Sequence, residues 1–421
     1  MRRVAGAAGL MILSLCRPAP AQIGQAARPF PDTSNGISVF TDQLPGNMTP
    51  AQWQFAATHY VGTQKQNTDW TRQMRTLNPR FIVLHYQLAV GAGPSLFVVG
   101  NQWTNDFNTV TNQEGWFLHT DQGSRVRQPW TDWYVMDIRS ANGVPLTGWP
   151  NYWVSTALDR LRLNENDGVF ADSYTVDILI GQVNPPHPWF NDVSACLRNW
   201  IPNLDAYGAS CARALHDAPE NFYYLPNLGA LVTTWDSTNY GVGDGGMVEG
   251  FALSNSGNYY QTGDWQLQMN RILGLARANK IIIAQSYIND GALYDRWFAV
   301  CSYLLTKGPR SYINMFGGST LSWYPEYKLN LGAYAAGPAA NVSAYWVPSW
   351  GVYRRDYANG MVLVNPGTSA VSVSLGKQRW NLVRASGGGP VGGDGVEPGS
   401  LTNQRVTSVT IPAHSGCVLL K

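Results

Sequence analysis

Charge is scarce in this chain: only 13% of its 421 residues are Asp, Glu, Lys or Arg. The 29 basic and 27 acidic residues nearly balance, and the basic ones gather into no stripe, which argues against a nucleic-acid partner. Histidine is equally sparse. Six histidines, none in an H-E-x-x-H or comparable spacing, and scattered acids give no reason to expect a metal site. No C-x-x-C suggests zinc. No G-x-S-x-G elbow serves a serine hydrolase, and no G-x-G-x-x-G links a strand to a helix around a nucleotide. No cofactor is expected. Long apolar runs are also missing beyond the N-terminus, so no later segment reads as membrane-spanning.

The N-terminus itself reads as a secretory signal over residues 1–21. Arg2 and Arg3 form the positive region, Val4 to Leu15 the short apolar region, and Ala19-Pro20-Ala21 the small residues before a cut at Gln22. Leu15 is too large for the position preceding a lipidated Cys16. Cleavage removes three arginines and no acid, taking the net charge from +2 to −1. A secreted or periplasmic protein follows, without membrane contact once the signal is gone. Four cysteines then remain, an even number that an oxidising compartment permits to pair. Pro202 should bend the helical region that holds Cys196 and Cys211, which predicts that bridge. Cys301 would tie the last barrel helices to Cys417. The alternative is four buried thiols.

What the chain does contain is strand after strand separated by helical spacing. Ile37–Thr41, His59–Thr63, Phe81–Tyr86, Trp133–Ile138, Gly168–Asp172, Phe222–Asn227, Gly245–Glu249, Ile281–Tyr287 and Ser311–Met315 read as buried strands. Helices are expected from Pro50, over Thr68–Leu77 and Tyr152–Leu163, as a hairpin over Val193–Leu215, and over Asp264–Ala278 and Tyr294–Leu305. About eight strand–helix repeats with near-continuous apolar strands argue for an α/β fold, a closed (β/α)8 TIM barrel over residues 22–340. After residue 340 the period changes to short strands split by turns, which predicts a small antiparallel β-sandwich-like domain over 341–421. Within it, the Gly-rich stretch Ser386–Ser400 is poor in apolar residues and reads as a mobile loop.

Two of these strands end in acids. Asp167-Gly-Val-Phe-Ala-Asp172-Ser-Tyr174 delivers Asp172, and Gly245-Gly-Met-Val-Glu249-Gly-Phe251 delivers Glu249. Catalytic groups in such barrels sit at strand C-termini. Glycosidic hydrolysis needs one carboxyl to protonate the leaving oxygen and another to attack or stabilise the oxocarbenium-like carbon. A carboxyl in the apolar surroundings of Glu249 rises in pKa, as a general acid requires. The preferred assignment makes Glu249 the acid and Asp172 the nucleophile or base, though the sequence does not order the two. The bland alternative is a pair of rim carboxylates held by Arg or Lys. Asp167 opens its strand and belongs to the opposite barrel face.

His85, Tyr86, Asp137, Tyr174, Asn227, Gln285 and Tyr287 all fall near strand ends, where amides, hydroxyls and imidazoles can hold sugar hydroxyls. The chain's 17 Trp and 21 Tyr supply faces that stack on sugar rings. Trp103 and Trp116, in the long loop from Gly91 to Pro129, are the first candidates, with Trp189 and Trp235 behind them.

Asp167-Gly-Val-Phe-Ala-Asp172, Leu225-Pro-Asn227 and Met247-Val-Glu249-Gly250 resemble the core of glycoside-hydrolase-like barrel families, nearest to glycosyl hydrolase-like family fifteen and more distantly the galactosaminidase barrels. The resemblance covers roughly residues 35–330 and implies Asp172 and Glu249 as the acid pair. The expected function is a secreted glycoside hydrolase acting on a polysaccharide or oligosaccharide. The alternative is a non-catalytic carbohydrate-binding barrel.

Overall fold

In the computed structural model, which describes residues 26–94, 106–128, 132–179, 192–316, 318 and 320–421, eight parallel strands form one sheet. They are β1 (Val39–Thr41), β2 (Tyr60–Gln64), β3 (Ile82–Leu88), β4 (Gly168–Asp172), β5 (Tyr223–Pro226), β6 (Gly245–Glu249), β7 (Ile281–Tyr287) and β8 (Ser311–Phe316). Their order is β6-β7-β8-β1-β2-β3-β4-β5, and a single parallel bridge, Asn227 to Met247, joins the two edges. The sheet is therefore a (β/α)8 barrel. The expected signal segment, Trp103 and Trp189 lie outside the described residues. Among the described residues no helix is long and apolar enough to cross a membrane.

Local chemistry starts the helices where the connections demand them. Helix α1 (Pro50–His59) opens with a capping box: Gln52 N donates to Thr49 Oγ1 at 3.2 Å, and Thr49 N donates to Gln52 Oε1 at 3.0 Å. Pro50 occupies the first turn, where no N–H is needed. Helix α2 (Thr68–Leu77) is capped by Asn67, which accepts from Trp70 N at 2.8 Å. Helix α3 (Trp149–Leu163) returns the chain to β4, and α4 (Ile201–His216), α5 (Thr262–Arg277) and α6 (Leu293–Thr306) follow.

Strand alternation sorts side chains into two cores. Phe40, Ile82, Leu84, Tyr86, Phe170, Leu225, Met247, Ile281, Ile283 and Tyr312 fill the lumen. Phe30 closes its lower end, its ring 5.8 Å from that of Phe40 and edge-on to Tyr223 and Tyr312. The opposite faces pack against the helices.

Several expectations need correction. Trp133–Ile138 is not a barrel strand. Only Tyr134–Val135 is extended, paired antiparallel with Gly91–Ala92 beyond the end of β3. The barrel edge of β3 is already taken by β4, from Leu84 opposite Gly168 to Leu88 opposite Asp172. The expected hairpin over 193–215 is one continuous helical run. A wide turn at Cys196–Trp200 leads into α4, and Pro202 sits in α4's first turn rather than bending it. Fifteen residues of helix separate Cys196 from Cys211 by about 22 Å, far beyond disulfide reach.

No disulfide joins any two of the four described cysteines, and all four are buried. Cys301 fails to meet Cys417 by one step of strand alternation, as the C-terminal sheet makes clear. That region contains β9 (Trp346–Val347), β10 (Val352–Tyr357), β11 (Gly360–Asn365), β12 (Val371–Ser374), β13 (Trp380–Gly387), β14 (Gly399–Val406), β15 (Ser408–Ile411) and β16 (Ser415–Leu420). Six of these form an antiparallel sheet in the order β9-β10-β11-β16-β13-β14, and β12 pairs with β15 in a second layer. Val362, Val364 and Val418 face α6 and join the core that holds Cys301. Leu363, Cys417 and Leu419 face the β12–β15 layer instead. The thiol of Cys301 lies against Gly416.

The Gly-rich stretch is ordered against the barrel. Thr49 Oγ1 donates to Gly393 O at 2.6 Å, Gln52 Nε2 to Val391 O at 2.9 Å, and Lys328 Nζ to Glu397 at 2.7 Å. Hydrogen bonds to Thr49, Gln52 and Lys328, with Val391 buried in the main core, hold the stretch in place.

Candidate active site

Every barrel strand ends in a polar residue whose place in the alternation turns it toward the lumen. Asp42 follows Phe40, Gln64 follows Gly62, and Tyr86 follows Leu84 at this spacing of two; Asp172, Asn227, Glu249, Gln285 and Asn314 do the same on β4 to β8. Asp42, Gln64, Tyr86, Asn227, Gln285 and Asn314 are buried, while Asp172 and Glu249 are half-buried at the mouth.

Asn227 holds the two acids together. Its Nδ2 donates to Asp172 Oδ1 at 2.8 Å and also to Glu249 Oε2. Its Oδ1 accepts from Gly229 N at 3.0 Å, so the amide's orientation is set from both sides. Two hydrogen bonds to one nitrogen keep the two carboxyl oxygens within roughly 5–6 Å of each other. Asp172 is further fixed by the Tyr86 hydroxyl, which donates to Oδ2 at 2.5 Å, and by Ser173 N, which donates to Oδ1 at 2.8 Å. Ser173 adopts φ 60°, a left-handed turn just past the strand end.

Glu249 Oε1 accepts from the Tyr287 hydroxyl. Gln285 Nε2 donates to that hydroxyl at 3.1 Å, and Asn314 Nδ2 donates to Gln285 Oε1 at 3.0 Å. Gly250 turns the chain immediately afterwards at φ 78°, where a Cβ would come within 2.6 Å of Asn255 Oδ1.

Burial, and then the charge of Asp172, raise the carboxyl of Glu249 above its ordinary value near 4.5; the Tyr287 and Asn227 bonds oppose this without cancelling it. Burial also pushes the Tyr86 and Tyr287 phenols up, with Asp172 and Glu249 respectively adding to the rise. Both hydroxyls therefore stay protonated and serve as donors.

Six candidates from the sequence thus converge: Tyr86, Asp172, Asn227, Glu249, Gln285 and Tyr287. Others do not. His85 lies between lumen-facing Leu84 and Tyr86, so it is buried on the helix side of β3. Tyr174 is fully buried beside α4, and its hydroxyl donates to Leu204 O at 2.7 Å. That leaves no face for a sugar to stack on. Asp137 is clamped by Arg139 through bonds of 2.8 and 2.6 Å, a consequence of its strand lying outside the barrel. Trp116 sits against Gly148 and Tyr152, and Trp235 is partly buried against the core.

Sequence reasoning missed Asp42, Gln64, Lys65 and Asn314. Lys65 Nζ donates to Asp42 at 2.7 and 3.0 Å and lies 5.1 Å from the centre of the Tyr86 ring. Gln64 Nε2 also donates to Asp42. The signal was available for Asp42 and Asn314, which follow the lumen residues Phe40 and Tyr312 by two positions as Asp172 and Glu249 follow theirs; Gln64 follows Gly62, and Lys65 is off that spacing, so neither carried it.

The family described as hypothetical glycosyl hydrolase family 15 matches residues 75–361, which include both acids and roughly two thirds of the chain. No curated protein matches. Among solved structures, the glycoside hydrolase domain of PelA from Pseudomonas aeruginosa is 14% identical with a TM-score of 0.44, over 68% of this chain and 96% of that one. A pullulanase from Bacillus acidopullulyticus is 10% identical with a TM-score of 0.44, over 96% of this chain and 62% of that one.

Proposed function

The chain belongs to hypothetical glycosyl hydrolase family 15, and from that premise we propose that it is an exported enzyme hydrolysing glycosidic bonds of a polysaccharide or oligosaccharide with Asp172 and Glu249. The observation that carries this reading is the shared donor: Asn227 Nδ2 bonds both carboxyl groups. A spacing of roughly 5 to 5.5 Å belongs to retaining glycosidases, whereas inverting ones hold their acids further apart to admit a water. The pair therefore supports retention.

In that reaction Glu249, kept protonated by its surroundings, gives its proton to the leaving oxygen. Asp172, oriented by Tyr86, Asn227 and Ser173, attacks the anomeric carbon, and the bond to the leaving sugar breaks. Water then enters, Glu249 takes its proton, and the ester to Asp172 is cleaved. Tyr287 holds Glu249 in line for both transfers. Residues 22–340 form the catalytic unit in this proposal and 341–421 the appended β unit. The apolar N-terminal segment supports export.

The test is direct. Asp172→Asn and Glu249→Gln should each lower turnover at least about 100-fold while the protein stays folded. Proton NMR of the first product should show the substrate's anomeric configuration. Residual activity of tens of per cent in either variant would remove that residue from the mechanism, and an inverted product would exclude Asp172 as nucleophile.

A further inference from the structure

Three aromatic side chains remain exposed among the large apolar residues described: Tyr259 at 37%, Tyr294 at 61% and Trp346 at 42%. All three lie where the barrel meets the C-terminal sheet. Tyr259 is in the loop that follows β6, Tyr294 in the first turn of α6, and Trp346 in β9. Exposed rings concentrated at one junction mark a binding surface more often than scattered ones do.

Beside Trp346 opens a cleft of about 520 Å³, between the first turns of α5 and the turn joining β11 to β12. This is within the size range of small-ligand sites. None of the described residues that line it is charged. Thr262, Gln266, Ser343 and Ser369 supply hydroxyls and an amide, and Tyr353 and Trp346 supply the aromatic wall. Gln266 Nε2 donates to the Tyr353 hydroxyl at 2.6 Å, and the Trp346 and Tyr353 rings are 5.0 Å apart. The cleft is also joined to the catalytic end of the barrel. Tyr260 donates to Gly250 O at 2.8 Å, directly after Glu249. Tyr259 stacks on His414 at 4.2 Å and 8°, and His414 N donates to Gly367 O, at the cleft's edge, at 3.0 Å.

We infer that this cleft is a second carbohydrate site, holding an uncharged sugar segment outside the catalytic ring. It rests on the glycosidase reading for its ligand class. An aromatic platform answers the apolar face of a sugar ring, and amide and hydroxyl groups answer its hydroxyls. The absence of charge in the lining favours a neutral segment over a uronate or an amino sugar.

The test uses the full chain carrying Glu249→Gln, so that polymer is bound and not degraded. Its migration is followed in native gels containing soluble starch, arabinoxylan, galactomannan or mixed-linkage β-glucan, with polygalacturonate and chitosan as charged arms. At least one neutral polymer should retard it. Adding Trp346→Ala should raise the apparent Kd about fivefold, the equivalent of one lost ring stack. Trp346→Phe should restore most of the retardation, and thermal melts should match throughout. Retardation by no neutral polymer, by charged polymers alone, or equally with and without Trp346 would overturn the inference. The catalytic reading falls separately: if the unsubstituted protein releases no sugar from the polymer that retards it, the cleft stands and the glycosidase does not.

Discussion

Glu249 is asked to be both stable in place and unwilling to ionise. Its pKa is raised by burial and by Asp172, so the folded state holds the proton more tightly than the unfolded chain does. The stability this contributes is present below about pH 4.5, where both states are protonated, and is lost as pH rises through the folded value. Glu249→Gln removes the ionisation altogether. The variant should therefore melt with the parent in acid and above it at neutral pH, the gap widening between those limits. Equal melting temperatures at every pH would show that Glu249 carries no such burden. Asp172 and Glu249 were legible in the sequence because each follows an apolar lumen residue, Phe170 or Met247, by two positions. His85 was misread because both faces of β3 are buried. With no polar face to break the pattern, nothing local says which parity looks into the lumen.

The elements were legible where a single local signal decided them. The Thr49–Gln52 box and Pro50 announce α1, and the acid-ended runs announce β4 and β6. Trp133–Ile138 failed for a reason outside its own residues: the neighbouring edge was already occupied by β4. Pro202 failed because a proline in a first helical turn is compatible with the helix continuing. The cysteines follow from these geometries. Burial raises the Cys196 thiol to about 11 and Cys417 to about 12, and lifts Cys211 and Cys301 well above their ordinary value, so none is poised to react. Alkylation in denaturant without reductant should label Cys196, Cys211, Cys301 and Cys417 completely, and a reducing agent should leave the melting temperature unchanged. A resistant pair of thiols would mean that a bridge forms after all.

At the scale of the whole molecule, α6 belongs to two cores. From Arg296 to Thr306 every residue is buried, with the barrel on one side and β10, β11 and β16 on the other. Arg355 of β10 reaches back to the carbonyls of Leu304, Leu305 and Lys307 at 3.1, 3.1 and 2.8 Å. A chain ending at residue 340 would leave one face of α6 uncovered, with Val300 and Cys301 near water. That truncation should aggregate, and the intact protein should unfold in one calorimetric transition. A soluble, cooperatively melting truncation would show the two units to be independent. A different consequence follows from the barrel's closure. Asn227 joins β5 to β6 through its backbone while its side chain spans the acids, so one residue both closes the cylinder and sets the distance between Asp172 and Glu249. If the proposed chemistry depends on that spacing, warming should part β5 from β6 and end activity while the protein is still folded. Amide exchange at Leu228, whose N–H donates to Met247 O at 2.9 Å, should quicken at the temperature where activity breaks, below the global melt. If activity persists up to the melt itself, the seam is no weaker than the rest of the wall.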